Sequence, residues 1–156
     1  MRAVVQRVSR AEVVIEGPTD RQEVGRIGTG LLVFLGVDKE DDAGDVQYIT
    51  GKIRDLRVFE DPVDPARHLN VSVQNAGGSV LVVPEFTLAA DCRKGRRPSF
   101  DRAAAPPVAR PLVDEVVREL RRSGLSVETG EFQATMSVSL VNEGPVTLLL
   151  DSRRTF

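Results

Sequence analysis

Two apolar segments, the unbroken run 31–37 and the strand-like run 79–83, limit the fold of this chain more than any other feature of its sequence. Successive side chains of a β-strand point to opposite faces, so a strand without polar positions is one that is covered on both faces. Both segments are therefore predicted to be buried strands. The other predicted strands are 2–16, 23–27, 58–59, 134–141 and 146–150.

Two helices are predicted between these strands. Asp41 or Asp42 can cap the first, which ends near Arg57. The second follows Pro106-Pro107, with Pro111 in its first turn and Gly124 just beyond its end. Apolar residues at helical spacing predict the buried stripes, which are Val46, Ile49, Ile53 and Leu56 in the first helix and Val108, Leu112, Val116 and Leu120 in the second.

The resulting order, β-β-β-α-β-β-α-β-β, predicts an α/β fold of mixed sheet layers with both main helices packed on one face. A length of 156 residues and a hydrophobic content of 41% fit one domain, spanning 1–156, with a single core. No segment approaches the roughly 18 apolar residues that cross a bilayer. The start of the chain becomes polar too soon for a secretion signal, and the single cysteine, Cys92, fits a reducing compartment. We therefore expect a cytoplasmic protein without a membrane partner.

The net charge of −2 gives no global attraction to nucleic acid, and DNA is not an expected partner. Any contact with RNA must come from a local patch, and the densest basic segment is 93–97. Such a segment is either a solvated loop or a set of phosphate contacts. The sequence of the loop alone favours the solvated loop.

The usual catalytic side chains are sparse. His68 is the only histidine and is interpreted as a surface residue, and Cys92 lacks a plausible base beside it. No cluster has metal-ligand spacing, so neither a metal nor a cofactor is expected. Residues 28–30, Gly-Thr-Gly, lack the third glycine of a dinucleotide loop and are predicted to form a hairpin turn. An enzyme of this kind would depend on oriented backbone N–H groups, positioning or the substrate's own groups, which suits an activated ester.

Two segments that follow strand-like runs are unusual. Residues 84–100 form a long polar and basic stretch, and residues 142–147 place a Gly-Pro pair at the start of the last strand. The second segment is either a plain turn or a cis Gly144-Pro145 peptide whose carbonyls project into a pocket. Thr87 likewise either caps its own backbone or lines a site. The residues alone leave both alternatives open.

Taken together, these segments resemble the D-aminoacyl-tRNA deacylases. The similarity extends over nearly the whole chain and consists of several blocks in order. The matching blocks are 1–8, 30–37, 75–83, 86–91, 97–100 and 142–147. The resemblance implies a cytoplasmic homodimer, without metal or cofactor, that hydrolyses the ester joining a D-amino acid to the 3′ end of tRNA. It also implies acceptance of glycine mischarged on an alanine tRNA.

The resemblance also implies roles for particular residues. The Gly144-Pro145 pair would be cis and would reach into the partner subunit's pocket, where its carbonyls exclude an L side chain. The backbone N–H of Phe86 would be the oxyanion donor, Thr87 would line the site, and the 2′-hydroxyl of the terminal adenosine would assist the chemistry. The catalytic residues implied are thus Phe86 and Thr87, and the substrate-binding residues are Arg7, Met136, Asn142, Gly144 and Pro145, with Arg7 and Met136 orienting the Gly-Pro pair.

One departure from the family pattern affects the site. The family usually has Ser-Gln before Phe-Thr, whereas this chain has Pro84-Glu85. A related branch that removes L-alanine from a threonine tRNA also has the proline, with a trans Gly-Pro pair and a wider pocket. Phe86, which is a small residue in that branch, favours D-selectivity here. The alternatives to a D-selective deacylase are such an L-alanine-removing relative or a non-catalytic tRNA-binding dimer. Glu85 is expected to point away from RNA or to pair with an arginine.

Overall fold

The computed structural model describes residues 1–17, 20–61, 63–64, 66 and 68–155. It contains one mixed sheet, two α-helices and a short 3₁₀ helix, Phe86–Ala89. The strands are β1 (Arg2–Glu16), β2 (Arg21–Ile27), β3 (Gly30–Gly36), β4 (Ser79–Pro84), β5 (Val127–Thr129) and β6 (Met136–Asp151), and the helices are α1 (Ala43–Asp55) and α2 (Pro106–Arg122). The predicted α/β class is confirmed.

The long strand β1 organises the sheet. It pairs antiparallel with β6 along nearly its whole length, with β3 along its first half and with β2 along its second half. β4 is parallel to β3, and β5 is parallel to β4, with α1 and α2 as the two crossover helices. β2 and β3 are both antiparallel to β1 and lie end to end along it, so they do not pair with each other. The segment 28–30 joins them without reversing the chain, and the predicted hairpin turn is wrong.

The buried strands β3 and β4 have a different cluster on each face. Leu31, Val33, Val80 and Val82 belong to the larger cluster, which both helices cover. The alternate residues of these strands face a second cluster, which β1 and β2 complete. That cluster contains Val8, Ala11, Val13, Ile27, Leu32, Leu81 and Val83. The prediction that these apolar segments are covered on both faces is confirmed, and so is the placement of both helices on one face.

The helix α1 forms as predicted because its first turn is capped. The side chain of Asp42 accepts hydrogen bonds from the backbone N–H of Gly44, at 2.7 Å, and of Asp45. In return the Asp45 carboxylate accepts one from the Asp42 N–H, at 2.8 Å. This capping box satisfies N–H groups that have no partner within the helix.

The predicted apolar stripe of α2 is partly wrong. Val108 is 48% exposed, and the buried face instead includes Ala109 and Val113, one position further along the chain. The helix begins at Pro106, so Pro111 lies in the second turn rather than the first. The two prolines at 106 and 107 already occupy the positions where a missing N–H costs nothing. The predicted end is confirmed, since Gly124 follows the helix with a φ of +91°.

Three strand predictions need correction. Residues 58–59 form only an isolated bridge, between Phe59 and Val71. The three-residue strand β5 was not predicted, since it is too short for a pattern. The predicted strands 134–141 and 146–150 are parts of one strand, β6, because the ladder with β1 resumes after the Gly-Pro segment.

Two glycines at the start of β3 provide a matched test of this packing. A Cβ atom on Gly30 would lie 1.9 Å from the Ser79 carbonyl oxygen, whereas one on Gly28 would have no neighbour within 4 Å. Gly30→Ala is expected to lower the free energy of unfolding by about 3 kcal/mol or more, since backbone must move. Gly28→Ala should leave it nearly unchanged. Denaturant unfolding of both variants measures this, and equal values would contradict the packing described.

A candidate active site in two parts

A cavity of about 690 Å³ lies where β4 ends. Its lining comes from the end of β4, the 3₁₀ helix, the beginning of α2 and the residues that lead into β6. Most of these residues are apolar, including Phe34, Val83, Pro84, Phe132 and Val138. Such a cavity suits an apolar side chain with a few polar groups that fix its orientation.

The 3₁₀ helix presents Phe86 and Thr87 to this cavity. The β ladder ends with the hydrogen bond from the Glu85 N–H to the Leu35 carbonyl, at 2.8 Å, and the chain then turns. A guanidinium nitrogen of Arg2 donates to the Leu88 carbonyl, at 3.1 Å, and fixes the turn. The N–H groups of a first helical turn have no acceptor within the helix, which leaves those of Phe86 and Thr87 for a ligand.

The side chains of these two residues differ in their contacts. Phe86 is 60% exposed, and its ring packs edge-on against Phe100, with 5.1 Å between ring centroids. The Thr87 hydroxyl donates a hydrogen bond to the Glu85 carboxylate, at 2.7 Å. Of the two expected alternatives for Glu85, the arginine pair is not formed within the described part of the chain, and the carboxylate accepts from Thr87 instead.

Met136 lines the same cavity from the beginning of β6. Its sulfur accepts a hydrogen bond from the Glu131 N–H, at 3.3 Å, and lies close to Gly130. The adjacent segment supplies Gln133, whose φ is +67°, and small residues that precede α2 also contribute. These contributors, which are Ala103, Ala104, Gln133 and Thr135, were not predicted and carry no recognisable sequence signal.

The Gly-Pro segment forms the second part of the candidate site. In the ladder between β1 and β6, Val8 pairs with Asn142 and Gln6 pairs with Thr147. Residues 143–146 therefore lie opposite Arg7 alone and form a bulge, in which residues 143–145 are exposed while Val146 packs against the larger cluster. Gly144 has a φ of +117°, in the region that favours glycine, and the Gly144-Pro145 peptide bond is cis.

The Asn142 side chain closes this bulge. Its amide oxygen accepts from the Val146 N–H, at 3.0 Å, and its amide nitrogen donates to the Thr147 hydroxyl, also at 3.0 Å. The same nitrogen lies 3.3 Å from the Val146 carbonyl oxygen. Asn142 therefore determines the shape of the bulge through contacts within its own chain.

Arg7 supports the bulge from β1. Its side chain is buried and donates to the carbonyls of Val58, at 2.7 Å, and Glu143, at 3.2 Å. A Cβ atom on Gly144 would lie 2.9 Å from a guanidinium nitrogen of Arg7. The guanidinium group thus joins three separate segments of the chain beneath the Gly-Pro pair.

The predicted site residues fall into two groups within one chain. Phe86, Thr87 and Met136 line the cavity at the end of β4. Arg7 instead lines a recess of about 500 Å³ beside the bulge. The rest of the second group, Asn142, Gly144 and Pro145, is absent from the lining of the first cavity in the part of the chain that the structure describes.

The other candidate residues lie away from the cavity. The His68 Nδ1 atom is 3.5 Å from a Glu60 carboxylate oxygen, and Cys92 is exposed. The described residues contain no cluster of three or more His, Cys, Asp or Glu side chains that could hold a metal ion. A further groove, of about 860 Å³, lies beside α2 and β5 and includes Arg110, Arg118, Arg121 and Arg122 in its lining.

The basic segment 93–97 is a closed loop. Its ends are joined by two hydrogen bonds between the backbones of Asp91 and Ser99, of 2.8 and 3.0 Å. Arg93 donates to the Asp91 carboxylate and holds the pKa of that carboxyl well below its usual range. The remaining basic side chains of the loop, Lys94, Arg96 and Arg97, are exposed.

Comparison with known proteins defines the class of this protein. A family model described as D-Tyr-tRNA(Tyr) deacylase, a class of hydrolases, matches residues 4–151. The chain is 54% identical over 156 residues to a D-aminoacyl-tRNA deacylase of Syntrophobacter fumaroxidans, covering 100% of both chains. It is also 54% identical to one of Symbiobacterium thermophilum, covering 100% of this chain and 99% of that one. The chain belongs to the D-Tyr-tRNA(Tyr) deacylase family.

Solved structures agree with this fold. A chain described as a c-Myc DNA unwinding element binding protein has a TM-score of 0.87 and 36% identity, covering 97% of this chain and 98% of its own. A probable eukaryotic D-amino acid tRNA deacylase has a TM-score of 0.80, with coverage of 96% and 97%, and at 18% identity it supports the fold alone. Among the described residues, neither α-helix is long and apolar enough to span a membrane.

Proposed function

We propose that this D-aminoacyl-tRNA deacylase acts in the cytoplasm as a homodimer that proofreads chirality, without a metal or cofactor. It hydrolyses the ester between a D-amino acid and the 3′ end of tRNA and releases both products. The observation that carries the proposal is the division of the candidate site, in which the cavity holds Phe86 and Thr87 while the Gly-Pro bulge is exposed elsewhere on the chain. A second copy of the chain would bring the two parts together.

The chemistry of the cavity suits an ester whose own groups assist its cleavage. The described lining includes neither histidine nor cysteine, and its one carboxylate, Glu85, already accepts a hydrogen bond from the Thr87 hydroxyl. In the proposed reaction, water attacks the ester carbonyl while the backbone N–H of Phe86 stabilises the developing oxyanion. The 2′-hydroxyl of the terminal adenosine relays a proton, and the 3′-oxygen leaves protonated as the free hydroxyl of the tRNA.

The Gly-Pro bulge is the proposed filter for chirality. Asn142 and Arg7 hold it by hydrogen bonds on both sides, so its carbonyls keep their position when they enter the partner's cavity. An L-amino acid would direct its side chain into this rigid main chain, whereas a D-amino acid would direct it into the cavity. Glycine has no side chain and would be accepted, so glycyl-tRNA(Ala) is a proposed second substrate.

Activity on the two mirror-image substrates tests this filter. We expect hydrolysis of D-tyrosyl-tRNA at least about tenfold faster than of L-tyrosyl-tRNA, since each 1.4 kcal/mol of steric cost is tenfold. Gly144→Ala should lose most of this activity, because the new Cβ atom would displace Arg7 from the bulge. Gly124→Ala, at another glycine of positive φ, is the control and should keep it. Equal wild-type rates on both substrates would refute the filter.

The oxyanion donor can be tested by removing one N–H group. Phe86 is the first residue of its 3₁₀ helix, a position that proline accepts, and the preceding Glu85 has the extended backbone that proline requires. Phe86→Pro should therefore fold and lower kcat by about 100-fold or more. Phe86→Ala removes the ring but retains the N–H, so its loss of kcat should be far smaller. Similar losses in both variants would assign the effect to the ring.

Mixing of two defective variants tests the contribution of both subunits. Co-refolded Phe86→Pro and Gly144→Ala chains would form heterodimers with one intact site, composed of the Phe86 segment of one chain and the Gly-Pro bulge of the other. Random assortment predicts recovery of about a quarter of the wild-type activity. Each variant refolded alone is the control. A mixture as inactive as its components would place the complete site within one chain.

The Pro84-Glu85 departure supports a second candidate, a relative that removes L-alanine from threonine tRNA. The same assay with L-alanyl-tRNA(Thr) distinguishes them, since only the second candidate would prefer this substrate. Binding of D-aminoacyl-tRNA without turnover would instead indicate a non-catalytic dimer.

DNA is not a proposed partner despite the name of one similar structure, because a net charge of −2 provides no general attraction to nucleic acid.

A further inference from the structure

The basic loop carries three cations that the protein itself does not neutralise. These are Lys94, Arg96 and Arg97, which are exposed and form no hydrogen bond or ion pair with any residue that the structure describes. The fourth basic side chain of the loop, Arg93, is held by the Asp91 carboxylate. Three like charges on one short loop repel one another, so an anion bound between them is favourable.

The groove beside α2 also contains arginines, but much of its positive charge is already offset. Arg118 and Arg122 both form ion pairs with Glu115, and Arg122 forms another with Glu119. Beside the basic loop, by contrast, the next carboxylate in the sequence after Asp91 is that of Asp101. The loop is therefore the stronger candidate for binding a ligand with several negative charges.

The loop is fixed beside the mouth of the cavity at the end of β4. Phe100 follows the backbone bridge that closes the loop, and its ring packs against Phe86, which lines the cavity. Arg102 forms an ion pair with Asp38, at 2.8 Å, and ties the same segment to the end of β3. Residues 92–98 fold back on themselves, so they reach at most about 12 Å from the bridge. The cations therefore lie within the span of the last few nucleotides of an RNA whose ester occupies the cavity.

We propose that Lys94, Arg96 and Arg97 bind phosphates of the single-stranded 3′ end of tRNA, just before the nucleotide that carries the amino acid. This inference rests on the proposed function, since it takes the ester to lie in the cavity at the end of β4. The loop would supply affinity and orientation without contacting the reacting atoms. Phosphate contacts carry no sequence information, so the loop would serve all tRNAs alike.

The salt dependence of tRNA binding tests the proposal, because it counts phosphate contacts. A triple variant with Lys94→Gln, Arg96→Gln and Arg97→Gln should bind deacylated tRNA with a slope of log affinity against log salt that is shallower by about 2, since each single-strand contact contributes about 0.7. Between about 50 and 200 mM salt, the wild type should lose about 15-fold more affinity than the variant does. In hydrolysis of D-tyrosyl-tRNA, KM should rise while kcat stays within about twofold of the wild type.

Two controls isolate the phosphate contacts. Arg118→Gln combined with Arg122→Gln removes exposed arginines that are already paired, and it should leave the slope unchanged. D-Tyrosyl-adenosine has no phosphate, so the triple variant should hydrolyse it with the kcat/KM of the wild type. Equal slopes in wild type and triple variant would assign the loop to solvent. Equal loss of slope in both variants, or loss of activity on D-tyrosyl-adenosine, would show a general charge effect or damage to the cavity. Each of these results would overturn the proposal.

The length of the RNA locates the contact and separates this inference from the proposed function. A 3′-terminal tetranucleotide has as many phosphodiesters as the loop has unpaired cations, and it should retain most of the difference in slope. A difference that appears only with whole tRNA would overturn the placement at the 3′ end. A wild type that binds RNA through the loop but hydrolyses no D-aminoacyl-tRNA would refute the proposed function alone. D-selective hydrolysis with a slope that is independent of the loop would refute this inference alone.

Discussion

The pairing of β6 with β1 on either side of Arg7 is the interaction on which most of this structure depends. The ladder with β1 fixes β6 at Asn142 and again at Thr147, so the exposed residues between them, 143–145, project from the sheet. Arg7 fills the space beneath them and donates to two backbone carbonyls. A buried guanidinium group must keep its hydrogen-bond acceptors. The carbonyl of Glu143 in the bulge therefore stabilises the buried Arg7, and Arg7 in turn stabilises the bulge. The bulge is thereby held by hydrogen bonds from both Arg7 and Asn142.

The sequence predicted those elements of the fold whose residue pattern directly reflects how they pack. The strands β3 and β4 are covered by a separate cluster on each face, and this double burial is what made them apolar throughout. The short strand β5 was not predictable, since parallel pairing with β4 positions it rather than its own composition. Residues 58–59 are apolar because they belong to the core, not because they form a strand.

The resemblance predicted the residues of the candidate site and their division between two subunits, but not the backbone contacts that shape each part. The sequence blocks contain Phe86, Thr87 and the Gly-Pro pair, yet the bulge that carries the pair follows from the shift in register beside Arg7. No periodic pattern of apolar residues in the sequence indicates such a shift in strand register. The hydrogen bond from Thr87 to Glu85 was not predicted either, because it depends on the 3₁₀ turn that brings these two side chains together.

Local placement of charge explains how an acidic chain can act on a polyanion. The basic loop is held shut by the Asp91 and Ser99 backbones, and its neighbour Phe100 contacts Phe86 at the cavity. Arg93 is already neutralised by Asp91, which leaves the other basic side chains of the loop for phosphates. These exposed side chains lie on a loop that adjoins the cavity, where the phosphates of an acceptor end would meet them. The net charge of the whole chain therefore does not decide whether RNA is attracted to this edge of the cavity.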